Sequence, residues 1–135
     1  MKWSHSPKSE YWKSLIPSVR QRILCEKAIA RAITLVALEK GYLVSVNDGE
    51  ETVLTNSKIA TQVMKALHTT DEDYLTIYDP ATKRTIGAFK LIYGNSGYDV
   101  VNDYYYGLNT KSIMDALNAV GSRVADKWEK KLTKK

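Results

Sequence analysis

Few side chains in this chain of 135 residues combine a reactive type with a spacing that chemistry could use. Cys25, His5 and His68 are its full complement of cysteine and histidine, and they stand too far apart for metal-ligand spacing or for a local nucleophile–base pair. Cys25 recurs with Ile29, Ala32 and Val36 at steps of four, three and four, one face of a helix, so its expected role is a small buried hydrophobe. Asp71, Glu72 and Asp73 are consecutive carboxylates without the spaced oxygen ligands and glycine of a calcium loop, and they read as a solvated connector. Asp99 and Asp103 would be neighbours in a helix, but in a strand their backbones are roughly 13 Å apart, too far for a shared-proton dyad. The expectation is therefore no metal, no cofactor, no catalytic residue and no enzyme.

Binding chemistry is better represented. The stretch "LIYGNSGYDVVNDYYYGLN", 91–109, holds five of the nine tyrosines. Tyr104, Tyr105 and Tyr106 are consecutive, so in a strand they cannot share one face, and at least one must meet solvent or a partner. β-propensity alone favours tyrosine in strands; beyond that, its large area and small entropic cost suit an interface. The net charge of +5 is unevenly spread: residues 1–31 carry seven Lys/Arg against two Glu, 32–126 carry eight against twelve acids, and 127–135 carry five against one. Arg20, Lys27 and Arg31 form one basic helical stripe, and Arg123, Lys127, Lys130 and Lys134 form another at steps of four, three and four. Helices on opposite sides of a sheet would leave each stripe a separate solvated face, which is the expectation; on a shared side the stripes would merge into one patch. Lysines at 130–135 also suit a soluble basic tail at a helix C-terminus.

The elements that position these groups follow from periodicity and punctuation. Residues 1–16 form an N-terminal segment in which a short helical piece around Ser9–Leu15 can precede Pro17. Pro17 suits a first helical turn and Gly41 a stop, giving a helix over about 17–40. "YLVSVNDGEETVLT" reads as a hairpin, 42–46 and 51–55, because Asp-Gly tolerates the positive φ of a tight turn. Asn56 or Ser57 can cap a helix whose Ile59, Val63, Met64 and Leu67 share a face. Strands over about 74–78 and 84–93 flank a turn at Asp79-Pro80, and a fifth, about 98–105, follows the turn at Gly94–Gly97. Asn109 or Thr110 caps a closing helix carrying Ile113, Leu117, Val120, Val124 and Trp128 inward. The whole is a single α+β domain over 1–135, with helix, two strands, helix, three strands and helix in order, and about five antiparallel strands packed by three helices. Two smaller sheets are the alternative.

Over residues 56–130 the order helix, three strands, helix resembles that of double-stranded-RNA-binding domains, but the closing helix opens "NTKSIMDAL" with Lys111 alone. From Asn56 to Asp126 the span carries seven Lys/Arg against eight Asp/Glu, so phosphate affinity has little source there. "GNSG" has the letters of the backbone-clamping loop of KH domains, yet it joins strands where that loop joins helices. No Gly-Lys-Ser/Thr phosphate loop occurs and no apolar run approaches the roughly 20 residues of a membrane span. A lone cysteine and an N-terminus without a secretory signal place the expected compartment in the cytoplasm. The expected function is that of a small regulatory or inhibitor protein, of bacterial or phage accessory type, binding a macromolecular partner, protein in the first place, through Tyr104–Tyr106 and the two basic stripes. The alternative is a nucleic-acid-binding accessory using its basic helices; a small enzyme ranks third, and the oligomeric state stays open.

Overall fold

The computed structural model describes residues 10–134, so His5 and most of the N-terminal segment lie outside the description. Nine elements run in the order α1 (Glu10–Ser14), α2 (Pro17–Glu39), β1 (Leu43–Asn47), β2 (Thr52–Ser57), α3 (Ala60–Ala66), β3 (Glu72–Asp79), β4 (Arg84–Ile92), β5 (Val101–Tyr106) and α4 (Lys111–Thr133). Pro17 opens α2, where its missing N–H has no intrahelical partner to lose, and Gly41 at φ 89° lets the chain turn out of the helix. The strands form one antiparallel sheet, β2-β1-β3-β4-β5, which settles the choice between one sheet and two.

Alternation sorts the sheet's side chains into two faces. Val44, Val46, Leu75, Ile77, Phe89 and Leu91 are fully buried on one, beneath the helices, where they meet Cys25, Ile29, Ile33, Met114 and Leu117. The partners Tyr74 and Lys90, then Thr76, Ala88 and Tyr105, occupy the other and remain half-buried or exposed. Helices α2, α3 and α4 therefore share one side of the sheet, with α2 and α4 packed on each other at Gly121, where an added Cβ would lie 2.8 Å from Ile33 Cδ1. The expectation of helices on opposite sides is corrected. One face of alternating apolar residues can bury only one layer of helices, and the second face, with Tyr74, Thr76 and Lys90, has too little apolar surface to hold another.

Smaller departures have local causes. The helix after β2 starts later than expected because Asn56, at φ 46°, and Ser57 still belong to the strand; Ile59 occupies the cap position and Ser57 Oγ accepts its N–H at 3.1 Å. β5 begins at Val101, since Gly97 to Val100 close a turn through Val100 N–H to Gly97 O at 3.1 Å. Thr110 precedes α4 without capping it; its hydroxyl instead accepts the Gly107 N–H at 2.8 Å. The basic residues from Lys130 to Thr133 are the last turn of α4 rather than a tail. No helix among the described residues is long and apolar enough to cross a membrane.

Candidate interface on the helical layer

Charge is divided between the layers. The four helices carry eleven Lys/Arg against six Asp/Glu, whereas the strands and loops between residues 40 and 110, outside α3, carry five against nine. The ends of the sequence are basic because they supply α2 and α4, and their pairing gathers that charge on the outside of one layer. Arg31, Arg123, Lys127, Lys130 and Lys134 are exposed, and Arg20 and Lys27 half-buried.

Between α2, α3 and α4 the layer is cut by a groove of about 590 Å³. Leu24, Ala28, Met64 and Trp128 supply its apolar surface, while Lys27 and Arg31 on α2 and Lys65 on α3 supply three cations. Lys131 places its ammonium 4.6 Å from the centre of the Trp128 ring. Burial holds the Lys27 ammonium below its usual range, and its Nζ lies 6.0 Å from the Trp12 ring centre. The groove thus sets Lys27 and Arg31 of the first stripe beside Trp128 of the helix that carries the second, with α2 and α4 on one side of the sheet. Leu24, Lys65 and Lys131 were not among the residues singled out by spacing, and Met64 was read only as part of an inward helix face. Their signal was present in part: Leu24, 41% exposed, interrupts the polar side of α2 one helical turn before Lys27 and two before Arg31.

The three consecutive tyrosines do not form one surface. Tyr104 pairs with Phe89 on the helix-covered face and donates its hydroxyl to Asp115 Oδ1 at 2.6 Å. Asp115 also receives Lys111 Nζ at 2.7 Å, and these two partners hold its carboxyl below the usual range. Tyr106 shares Tyr104's side of β5 but is 48% exposed, with Lys111 Nζ 5.8 Å from its ring centre. Tyr105, 46% exposed, points to the opposite face. Asp99 and Asp103 serve backbone: Asp99 Oδ1 accepts the N–H groups of Ser96 and Gly97 in the "GNSG" turn, and Asp103 Oδ1 accepts that of Tyr104 at 2.8 Å.

One polar cluster escaped the sequence altogether. Asp73, expected in a solvated connector, lies in β3 with no exposed surface, because strand alternation turns it to the same face as Leu75 and Ile77. Its Oδ2 accepts the His68 N–H at 3.0 Å and the Tyr93 hydroxyl, while Oδ1 has no hydrogen-bond partner among the described residues. Burial raises the Asp73 pKa to about 6 against these two donors, and burial lowers that of His68. The rings of His68 and Tyr93 stack at 3.8 Å, and Glu26, also fully buried, reaches His68 Nε2 at 3.4 Å through Oε1 and the Gly94 N–H at 2.9 Å through Oε2. A cavity of about 80 Å³ adjoins it, bordered by Arg22, Glu26, His68 and Tyr93. These contacts hold His68 in the left-handed conformation, φ 64°, that closes α3, and seat the Gly94 turn on α2. Cys25 is buried, as its spacing predicts, with its thiol pKa pushed up to about 12 by burial and by the neighbouring Glu26. No group of three or more His, Cys, Asp or Glu among the described residues could hold a metal ion.

Compared with protein-family models, with characterised proteins and with solved structures, the chain matches none.

Proposed function

We propose that this chain is a non-enzymatic binding protein that engages a protein partner through the outer face of its helical layer. The observation that carries the reading is the gathering of Lys27, Arg31, Lys65 and Trp128 around one groove with apolar walls. A cationic rim steers an acidic partner and fixes its orientation, and buried aromatic and aliphatic area supplies affinity. The acid–base groups that the fold brings together support the same reading. Asp73 Oδ2 already accepts two hydrogen bonds and Glu26 Oε2 a third, so both carboxylates are engaged in holding turns.

Nucleic acid is the second reading, favoured by both basic helices standing on one side of the sheet, with eleven Lys/Arg in the helices. Two measurements decide. Charge reversal at the exposed Arg31, Arg123, Lys127 and Lys130 together is expected to abolish capture of the partner from the native host, with a melt close to wild type, because exposed charges contribute little to stability. Unaltered capture excludes the basic face and leaves Tyr105 and Tyr106. Titration with random duplex at stepped salt is expected to give weak binding; a tight complex whose affinity falls steeply with salt would move the assignment to phosphate recognition.

A further inference from the structure

We infer that the groove between α2, α3 and Trp128 receives an amphipathic helix of a partner protein, one whose apolar row is flanked by acidic side chains. The inference rests on the outer helical face being the binding surface and names what that surface takes. Length is the first argument. Leu24, Lys27, Ala28 and Arg31 line one wall over eight residues of α2, whose seven steps span about 10.5 Å of helix axis, and Ala60, Thr61, Met64 and Lys65 line the facing wall. An incoming helix spans the same distance between its positions i and i+7, so a row at i, i+4 and i+7 presents its three anchors to the whole groove.

Composition is the second argument. Leu24 is 41% exposed although apolar, and Ala28, Met64 and Trp128 continue that surface. Methionine adapts its shape to an apolar guest, and tryptophan is a frequent interface anchor. Charge is the third. Lys27, Arg31 and Lys65 border the groove and no carboxylate among the described residues does, so a basic flank would be repelled and an acidic one paired. Lys27 sharpens the preference, since its ammonium is partly stripped of water and gains most from a nearby carboxylate. Recessed apolar walls do not suit the phosphates of a duplex, and Lys131 already stands over the Trp128 ring that a base would need for stacking.

The test uses the full chain and designed peptides. The probe is a fluorescent peptide of about 16 residues, roughly 24 Å when helical, with leucines at i, i+4, i+7 and i+11 and glutamates along one flank. A second peptide carries lysines for the glutamates, and vesicles of phosphatidylcholine and phosphatidylglycerol form a third arm. Saturable binding of the acidic peptide is expected, with none by the lysine peptide. The double variant Leu24→Gln, Met64→Gln retains every charge and is expected to weaken the acidic peptide about tenfold, equivalent to about 1.4 kcal/mol. Should that variant melt early, Ala28→Gln fills the groove without removing a fully buried group and is expected to act alike. Absence of saturable binding up to about 1 mM, where the free energy of association is only about 4 kcal/mol, overturns the proposal. Equal binding of the lysine peptide, an unweakened Leu24→Gln, Met64→Gln variant, or binding to vesicles alone does the same. Failure here is separable from failure of the wider reading: a native partner lost on charge reversal but kept by the Gln variants leaves the outer face standing and removes the groove.

Discussion

Asp73→Asn offers a direct measure of the buried polar cluster. Asparagine keeps an oxygen that can accept the His68 N–H and the Tyr93 hydroxyl, and it removes the charge. Its amide nitrogen takes the place of Oδ1, which lacks a partner among the described residues, so a constant cost of about 1–3 kcal/mol applies at every pH. The charge adds a pH-dependent component of calculable sign. Folding raises the Asp73 pKa from 3.8 to about 6. The folded protein therefore holds the proton more tightly than the unfolded chain, and the carboxyl favours the native state increasingly as pH falls through 6 toward 3.8. A displacement of about two pH units corresponds to about 3 kcal/mol when complete. Relative to the variant, wild type is expected to gain about 1 kcal/mol between pH 7 and 5, and about 2 kcal/mol by pH 4. His68 acts in the opposite sense, since its lowered pKa makes the native state lose stability as pH falls through 6.5. Its shift arises from burial, with Lys27 and Arg22, against the opposing pull of Glu26, so most of it is common to wild type and variant. Urea unfolding followed by circular dichroism at pH 7, 5 and 4 reads that difference. A flat difference, or one in which wild type loses ground to the variant on acidification, refutes the buried charge as the source.

Two further outcomes follow from packing. Gly87→Ala is expected to destabilise by about 3 kcal/mol or more, because its Cβ would meet the Tyr105 carbonyl oxygen at 2.2 Å and the Met114 side chain at 2.8 Å. Gly121→Ala meets side-chain atoms alone, Ile33 Cδ1 at 2.8 Å and Cγ1 at 3.1 Å, and gains about 1 kcal/mol of helix propensity, so its midpoint in urea should lie nearer wild type than that of Gly87→Ala. Cys25, fully buried with a pKa near 12, is expected to react with a thiol reagent at the rate of unfolding. Immediate labelling of the native protein would contradict its placement in the core.

Local patterns in the sequence determined the elements and their order. Pro17 and Gly41 bounded α2, the Asp-Gly and Asp-Pro turns marked two hairpins, and the steps of three and four gave Ile113, Leu117, Val124 and Trp128 of the inner face of α4, though Met114 is buried there and Val120 lies outside the core cluster. Such signals act over a few residues, through φ restrictions and helical or strand periodicity, and can be read without knowing what lies opposite. The burial of Cys25 was legible for the same reason. Three decisions belonged to the tertiary structure. Which side of the sheet receives α2 and α4 depends on the summed apolar area of five strands, so the meeting of Lys27 and Arg31 with Met64 and Trp128 had no local signature. Tyr104, Tyr105 and Tyr106 were visible as a cluster, but their division between the two faces depended on where β5 begins, since a one-residue shift exchanges them. Glu26, His68, Asp73 and Tyr93 come from four separate parts of the chain and meet only when β3 and β4 pair beneath α2. Asp73 looked solvated because it follows two other acids, and it is buried because the pleat turns every second residue of β3 toward the helices.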